Sequence, residues 1–292
     1  MGGQGDRAAE AGAQVGWTAV AVAAARAAEA ERGAPWFVDP YAAHFVAAWS
    51  RAHGPRPEEA AGGRGAEERW RTWVTSYVQI RTRFYDEFLV RSGARQVVLL
   101  AAGLDTRAFR MAWPDGTHLF EVDVPSVLAF KEAVLAERDA LPRCARAVLG
   151  LDLRDDWPSA LRGAGHVPDR PTAWLAEGLH PYLTPDAYRA LVREVGRLSG
   201  PGSVLGLDLH SRSRREAMRR ALASAGGDDA VGPLWHAHGE NEPAAVLAEH
   251  GWPPEAHSPA ERSRAYGRPL PPPIEAAVEA AGFPRLVTAS VA

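Results

Sequence analysis

This sequence of 292 residues has very little cysteine and lysine, and its net charge is small. The single cysteine, Cys144, excludes an internal disulfide and a zinc site built from several thiolates, so we expect a protein of the reducing cytoplasm. The net charge of -3 excludes the strong basic field that attracts nucleic acid or anionic lipid. Lys131 is the sole lysine among 33 basic residues, which we interpret as the codon usage of a GC-rich genome.

Long apolar runs are also missing, which excludes a membrane-spanning helix. The Ala-rich segment 15–30 comes nearest, but Arg26 and Glu29 interrupt it and the residues before it are not clearly basic. It is therefore predicted to be an amphipathic helix and not a signal peptide. With 46% hydrophobic and 24% charged residues, the composition is typical of an ordinary soluble globular protein.

Short apolar runs alternate with helix-like segments through the middle of the chain. The runs predict strands at 96–101, 118–122, 147–151, 172–176, 203–207 and, near the end, 286–289. Between them, segments such as 124–140 and 185–198 have helical periodicity. Apolar strands that alternate with helices predict an α/β fold, in which helices cover both faces of a mostly parallel sheet.

The domain organisation predicted from these patterns has three parts. Residues 1–14 are Gly-rich and polar and are expected to form a flexible tail. Residues 15–92 are expected to form an N-terminal helical cap, in which a long helix over 68–90 follows a polar loop. Residues 93–292 form the sheet domain, with an insertion at about 211–275 on the substrate side.

Acidic residues close three successive predicted strands. Glu121 and Asp123 end the second strand, Asp152 follows the third and Glu177 follows the fourth. Core packing does not require carboxylates at these points, and ligands of an open parallel sheet bind outside the carboxyl ends of its strands. Asp123 lies about twenty residues beyond Gly103, a separation typical of an acidic residue that binds ribose hydroxyls.

Five segments resemble, in order and spacing, motifs of the leucine carboxyl methyltransferase-related family of S-adenosylmethionine-dependent methyltransferases: AAGLDTRAFR, WPDGTHLFEVDVPSVLAFK, LDLRDDWPSAL, PTAWLAEGLHPYL and LSGPGSVLGLD. The resemblance extends from about residue 21 to about residue 252. It is strongest to a bacterial branch that includes polyketide carboxyl and O-methyltransferases of the tetracenomycin type. It implies a Rossmann-like class I methyltransferase fold with a seven-stranded sheet, and S-adenosyl-L-methionine as the cofactor.

The resemblance also implies roles for single residues in cofactor binding. Gly103 would pass close to the methionine part of the cofactor, and Asp123 would hold the ribose hydroxyls. Asp152 and Leu153 would contact the adenine. The sequence departs from the family pattern at Ala101, which stands where a first glycine is expected.

Two further positions of the resemblance concern the methionyl end of the cofactor. Glu177 would line that end, and Arg81 would pair with the cofactor carboxylate through a charge-assisted contact. Arg83 is an alternative to Arg81, because the alignment of the segment IRTRFYD with the family motif leaves a shift of one helical turn open.

Candidate substrate and catalytic residues follow from the same region. His180 stands where relatives usually carry an aliphatic residue, and we interpret it as either a hydrogen-bonded structural residue or a base. Trp73, Tyr77 and Tyr182 are candidates for contact with the substrate. The tryptophans of the N-terminal region fit core packing of a cap and fit a lid lined with flat apolar surface equally well.

Other reactive residues have weaker patterns. His236 and His238 would need a third ligand to hold a metal, so we predict a surface loop there and no metal site. Cys144 has no evident activating partner.

The predicted function is that of an O-methyltransferase that acts on a small natural product, polyketide-like or aromatic, at a carboxylate. A carboxylate is ionised at neutral pH and needs no general base, whereas a phenol or alcohol does. One alternative keeps the fold and cofactor but catalyses another reaction, such as a cyclisation. Others are an NAD-dependent dehydrogenase and a non-catalytic interaction module. The expected partner is a small-molecule substrate, with no nucleic acid or membrane, and the oligomeric state stays open.

Overall fold

The centre of the structure, a computed structural model, is one sheet. The structure describes residues 3–53, 66–210, 216, 242–281 and 284–291, with the backbone alone for residues 3–15, 17, 66, 67, 70 and 242. The strands are β1 Gln96–Leu100, β2 His118–Asp123, β3 Ala145–Gly150, β4 Thr172–Ala176, β5 Val204–Leu209, β6 Pro254–His257 and β7 Arg285–Ser290.

Within the described residues the sheet has seven strands in the order β3-β2-β1-β4-β5-β7-β6. Strands β1 to β5 pair in parallel, and β7 runs antiparallel to its neighbours β5 and β6. Every residue of the central strands β1 and β4 is buried, because helices cover the sheet on both faces. The predicted mostly parallel sheet of seven strands is confirmed.

Helices alternate with the strands as the sequence predicts. They are α1 Gly3–Ala30, α2 Ala42–His53, α3 Ala66–Ser92, α4 Arg107–Arg110, α5 Pro125–Ala136, α6 Trp157–Gly163, α7 Pro185–Arg197, α8 Glu242–Glu249, α9 Pro259–Ala265 and α10 Pro272–Ala281, with a 3-10 turn at His180–Tyr182. In this set no helix is both long enough and apolar enough to cross a membrane.

Alternate side chains of β1 point to opposite faces of the sheet and belong to two core clusters. Val97 and Leu99 face a cluster that contains buried residues of α1, α2, α3 and α10. Val98 and Leu100 face the opposite cluster, which contains buried residues of α6, α7 and α8. The N-terminal helices therefore pack directly on one face of the sheet.

The long helix α3 presents aromatic side chains to the first cluster. Trp73, Tyr77, Phe84 and Tyr85 are buried in the first cluster. Tyr85 also donates a hydrogen bond to the carbonyl oxygen of Leu207 in β5, which fixes the helix against the sheet.

Several boundaries differ from those predicted. Helix α1 begins at Gly3, inside the segment for which the sequence predicts a tail. Strand β6 lies within the predicted insertion, yet it pairs with β7 and extends the sheet. Its sequence, Pro254–His257, has no apolar alternation that would predict a strand, and Glu255 and Ala256 are exposed at the sheet edge. Of the insertion, residues 211–215 and 217–241 lie outside the described part.

Replacement of Gly206 in β5 by alanine tests the packing of α3 on the sheet. An added Cβ would lie 3.0 Å from Cε1 of Phe88 and 3.1 Å from Cδ1 of Tyr85, a ring that is held by its hydroxyl. We expect Gly206→Ala to lower the free energy of unfolding by about 1–3 kcal/mol, measured by urea denaturation. Gly163→Ala is the control, because a Cβ at the end of α6 would meet no atom within 4 Å. Equal stabilities of the two variants would contradict this packing.

Candidate functional site

A large cleft opens at the carboxyl ends of β1, β2 and β4. Its volume is about 1930 Å³, above the range of about 300–1,000 Å³ that is usual for one small-molecule ligand. Residues of α1 and α3 form one wall, and the turns after β1, β2, β3 and β4 form the other. The cleft can therefore hold a cofactor together with a second ligand.

The turn after β1 brings backbone into this cleft. Ala101 and Gly103 both have positive φ, 53° and 51°. Gly103 adopts this conformation without steric cost, whereas Ala101, at the position of the missing glycine, is strained. The N–H of Ala102 donates to the carbonyl oxygen of Val122, 3.1 Å away, so the turn is tied to the neighbouring strand.

Asp123, at the end of β2, holds the same turn from the other side. Its Oδ2 accepts the N–H of Gly103 at 2.6 Å and its Oδ1 accepts the N–H of Val124 at 2.7 Å. Burial raises the pKa of Asp123, and the two N–H donors oppose this only in part. The structure thus brings Gly103 and Asp123 together in the cleft.

Asp152 and Leu153 line the cleft after β3. Arg154 holds the Asp152 carboxylate through Nε at 2.9 Å and Nη2 at 2.6 Å. This hydrogen bonding lowers the pKa of Asp152. Oδ1 also accepts the backbone N–H of Arg154 at 2.8 Å. Each carboxylate oxygen accepts up to two hydrogen bonds, so Oδ2 can still bind an amino group of a ligand.

Glu121, in contrast, does not belong to the site. It is fully buried and its Oε2 lies 2.6 Å from Nζ of Lys131 and 2.7 Å from Nη2 of Arg146. It is absent from the lining of the cleft. Glu121 and Asp123 point to the same face of β2, but Glu121 lies inside the strand whereas Asp123 ends it, and only the strand end borders the cleft.

Arg81 in α3 joins the ends of β4 and β5. Its Nε donates to Oε1 of Glu177 at 2.7 Å, and its Nη1 donates to Oδ2 of Asp208 at 3.0 Å. Burial lowers the pKa of Arg81, but the two carboxylates raise it by more, so the guanidinium stays charged. Arg81 and Glu177 both line the cleft.

The second oxygen of Glu177 binds another arginine. Its Oε2 accepts a hydrogen bond from Nη1 of Arg107 at 2.9 Å, and Nε of Arg107 donates to Asp86 at 2.7 Å. Arg107 also contacts Asp105. Burial raises the pKa of Asp105, but Arg107 together with Lys131, Arg110 and Arg26 lowers it by more, to about 2. A buried network of alternating charges therefore connects α3 with the turns after β1 and β4.

Arg83, the alternative to Arg81, lies elsewhere. Its Nε donates to Oε1 of Glu87 at 3.1 Å, and its guanidinium lies over the ring of Tyr266, 4.1 Å from the centroid. It is absent from the cleft lining. Of the two arginines, Arg81 is thus the one in position to meet a ligand.

The sequence analysis did not single out Asp208 and His210. His210 lines the cleft, and Asp208, which is outside the lining, binds His210 and Arg81. Asp208 is fully buried, and its Oδ2 accepts hydrogen bonds from Tyr77 at 2.9 Å and from His210 at 2.7 Å. Burial raises the pKa of Asp208, yet Arg81 and its other donors hold it well below the usual range. The signal was present, since LGLDLH puts a further carboxylate near the end of the fifth strand.

His180 and Tyr182 occupy different positions in the 3-10 turn. Tyr182 lines the cleft, whereas His180 is 2% exposed and is absent from the lining. The Nδ1 of His180 accepts the backbone N–H of His210 at 3.3 Å, and its ring packs edge-on against Tyr188. These contacts favour the structural interpretation of His180.

Trp73 and Tyr77 form an aromatic wall on α3. Their rings stack at a centroid distance of 5.4 Å, and both line the cleft while they pack in the core. The two interpretations of these residues are thus compatible.

The structure gives no support to the remaining candidates for a reactive or metal-binding residue. Burial raises the pKa of Cys144 to about 11, so its thiol is a weak nucleophile at neutral pH. Among the residues with described side chains, no cluster of three or more potential ligands is placed to hold a metal ion. His236 and His238 lie outside the described residues.

Comparison with known proteins finds a family model and relatives that match this chain. The model of the leucine carboxyl methyltransferase family matches residues 19–196. A protein of Frankia alni, named as a candidate S-adenosyl-L-methionine-dependent methyltransferase, is 46% identical over 263 residues, 87% of each chain. A protein of the same description from Streptomyces coelicolor is 45% identical over 259 residues, 87% of this chain and 88% of its own.

Solved structures show the same fold at low sequence identity. A DUF574 family protein from Streptomyces avermitilis is 15% identical with a TM-score of 0.52, covering 92% of this chain and 97% of its own. The magnesium protoporphyrin IX methyltransferase of Synechocystis PCC 6803, solved with bound SAH, is 11% identical with a TM-score of 0.50, covering 84% and 94%. The predicted Rossmann-like class I methyltransferase fold is confirmed.

The pKa of Asp105 leads to a prediction about acid stability. Because its pKa lies at about 2 when folded and near 3.8 when unfolded, the ionised carboxylate stabilises the fold above the unfolded value. This stabilisation, on the order of 2 kcal/mol, is lost as the pH falls from about 5 towards 2. We expect the unfolding free energy of Asp105→Asn, measured by urea titration, to fall less steeply over this range than that of the wild type.

The control for this measurement is Asp115→Asn, because Asp115 is exposed in the turn before β2. Its unfolding free energy should follow the wild-type slope. Parallel curves for the wild type and Asp105→Asn would contradict the role of the Arg107 pair.

Proposed function

The chain belongs to the leucine carboxyl methyltransferase family, and from this premise we propose that it methylates a carboxylate oxygen of a small natural product. Family membership makes it a methyltransferase that uses S-adenosyl-L-methionine. The dehydrogenase alternative is therefore set aside. The observation that supports a small aromatic or polyketide-like acceptor is the cleft, in which an aromatic wall stands beside the network around Arg81.

The residues present fit this cofactor. Gly103 has positive φ, and its neighbours in the turn line the cleft together with the Asp123 carboxylate. We propose that Asp123 binds the ribose hydroxyls and that Asp152 and Leu153 bind the adenine. Arg81 would pair with the cofactor carboxylate, since a guanidinium has five N–H donors and its two carboxylate partners occupy only part of them.

Glu177 would act mainly through Arg81. Both of its oxygens accept hydrogen bonds from arginines, Oε1 from Arg81 and Oε2 from Arg107. It therefore fixes the direction of the Arg81 guanidinium at the methionyl end of the site. In this arrangement Glu177 is a positioning residue.

Methyl transfer requires alignment of the acceptor and exclusion of water. The bound cofactor supplies an electrophilic methyl group on a sulfonium. A carboxylate acceptor is already ionised at neutral pH, so the chain has to bind and orient it. Trp73 and Tyr77 offer stacking surface for an aromatic acceptor, and Tyr182 faces the same cleft.

Arg71 is our candidate for the residue that binds the acceptor carboxylate. It lies on α3 near Trp73, is exposed and lines the cleft. Its planar guanidinium can bind a carboxylate through two parallel hydrogen bonds. We also propose a cytoplasmic location, because the sole cysteine, Cys144, is a free thiol in the structure.

Replacement of Asp123 tests cofactor binding. We expect Asp123→Ala to abolish binding of S-adenosylmethionine in isothermal titration, because the ribose loses its acceptor and the β1 turn loses its support. Asp155→Ala, at an exposed rim position of the same cleft, should bind with the affinity of the wild type. His180→Leu should also retain binding. Wild-type affinity in Asp123→Ala would refute the assignment.

A paired-acceptor assay tests the proposed reaction. With methyl-labelled cofactor and 2-naphthoate, we expect label in the methyl ester. Arg71→Gln should raise KM for 2-naphthoate about tenfold, since a hydrogen bond to a charged group contributes about 1.5–3 kcal/mol. Arg69→Gln, on the same helix but outside the cleft lining, is the matched control. Cofactor binding without any transfer of label would favour the alternative in which the enzyme catalyses another reaction, such as a cyclisation.

A further inference from the structure

The cleft extends beyond the strand ends into a groove between α6 and α7. Its lining includes Pro158 and Arg162, which lie one turn apart on α6. On α7 the lining residues have helical spacing and are Ala187, Ala190, Leu191, Glu194 and Arg197. Residues three and four apart lie on one side of a helix. Because both sets line one cavity, these sides of α6 and α7 face each other across the groove.

The middle of the groove is apolar and rests on the core. Trp157 is 3% exposed, and its ring packs edge-on against a tryptophan of β4 at a centroid distance of 6.3 Å. Leu191 is buried in the same core cluster, and Leu153 packs against that cluster. Ala187 and Ala190 are half-buried and have only a methyl group each. Small side chains beside a packed apolar surface leave a slot that favours an apolar ligand group.

The apolar part of the groove is short. Along α7 it extends from Ala187 to Leu191, a rise of about 6 Å, which is close to the length of one benzene ring. Beyond it the lining is charged, because Glu194 accepts a hydrogen bond from Arg197 at 3.4 Å and Arg162 is exposed on α6. A longer apolar chain would remove water from these charges, which is unfavourable. The groove therefore fits one aromatic ring.

The groove and the proposed acceptor wall lie over opposite faces of the sheet. Trp73 and Tyr77 belong to the first core cluster, whereas Trp157 and Leu191 belong to the second. The chain lines the cleft without a break over residues 151–158, from the loop after β3 to the first turn of α6. This segment contains Asp152, the proposed ligand of the adenine amino group. The part of the cofactor that the groove adjoins is therefore the adenine.

The chemistry at Asp152 leaves one position of the adenine amino group open to substitution. That amino group has two hydrogens. Oδ2 of Asp152 already accepts one hydrogen bond from Arg154, so it has room for one more. An adenine with a single substituent on this nitrogen, N6, keeps one N–H for Asp152. The substituent then takes the place of the second hydrogen.

We propose that the groove between α6 and α7 is a subsite for an aromatic substituent on N6 of the adenine. The protein then binds N6-benzyl derivatives of S-adenosyl compounds as well as the parent compounds. The ring would lie between Pro158 and Ala187, against Trp157. Burial of its apolar surface offsets the ordering of the benzyl group. This subsite rests on the proposed function, which places the adenine at Asp152 and Leu153.

Binding of N6-benzyl-S-adenosylhomocysteine to the full chain tests the subsite. We expect isothermal titration to give a Kd within threefold of that for S-adenosylhomocysteine, or below it, because the groove accepts the ring without displacement of the adenine. A Kd more than threefold above that of the parent compound would overturn the inference.

Replacement of Ala187 shows where the ring binds. The indole of Ala187→Trp would fill the groove, so we expect the Kd for the benzyl compound to rise at least tenfold while the Kd for the parent stays within twofold. Ala133→Trp, at an exposed position of α5 outside the cleft lining, should bind both ligands like the wild type. Ala190→Phe is a second variant, should Ala187→Trp fail to fold. Unchanged binding of the benzyl compound by the groove variant would place the ring in solvent and contradict the subsite.

The label-transfer assay with 2-naphthoate separates this subsite from the proposed function. Binding of the benzyl compound that depends on Ala187, without transfer of label, supports the subsite and contradicts the carboxyl acceptor. Transfer of label, with the benzyl compound excluded, supports the carboxyl acceptor and contradicts the subsite. A raised KM for 2-naphthoate in Ala187→Trp, with unchanged binding of the benzyl compound, would assign the groove to the acceptor and overturn the inference.

Discussion

The buried ion-pair network around Glu177 is the constraint on which the site depends. Arg81 and Arg107 each donate to one oxygen of Glu177, and Arg81 continues to Asp208. These charges have lost most of their hydration, so removal of one partner leaves another uncompensated, at a cost of about 3–5 kcal/mol. The network therefore fixes α3 and the strand ends in one geometry, and the cleft is the space that this geometry leaves between them.

The two sides of the cleft differ in their chemistry. On the side of β1 and β2, Gly103 and Asp123 provide backbone and carboxylate groups suited to a nucleoside. On the side of α3, Trp73 and Tyr77 provide an apolar wall suited to an acceptor. Arg81 lines the same cleft, and in the proposed function it binds the methionyl end of the cofactor. Under that proposal, ligand binding and helix packing rely on the same side chains.

The sequence predicts the fold well because its strands are short, apolar and closed by acidic residues. It predicts Asp123, Asp152 and Glu177 from their places at strand ends, and the structure brings all three to one cleft. It could not predict that Glu121 pairs with Lys131 and Asp123 does not, since both residues are acidic and point to the same face of β2. Pairings across long sequence separation, such as those of Asp208, leave no local periodicity to detect.

The most direct test of the account is a crystal structure of the protein with S-adenosylhomocysteine. We predict density for the nucleoside over the turn after β1, with ribose oxygens at Asp123 and the amino-acid carboxylate at Arg81. The adenine should lie beside Asp152 and Leu153. Density for the ligand at another surface, or a saturated crystal in which these side chains make no contact with it, would contradict the account.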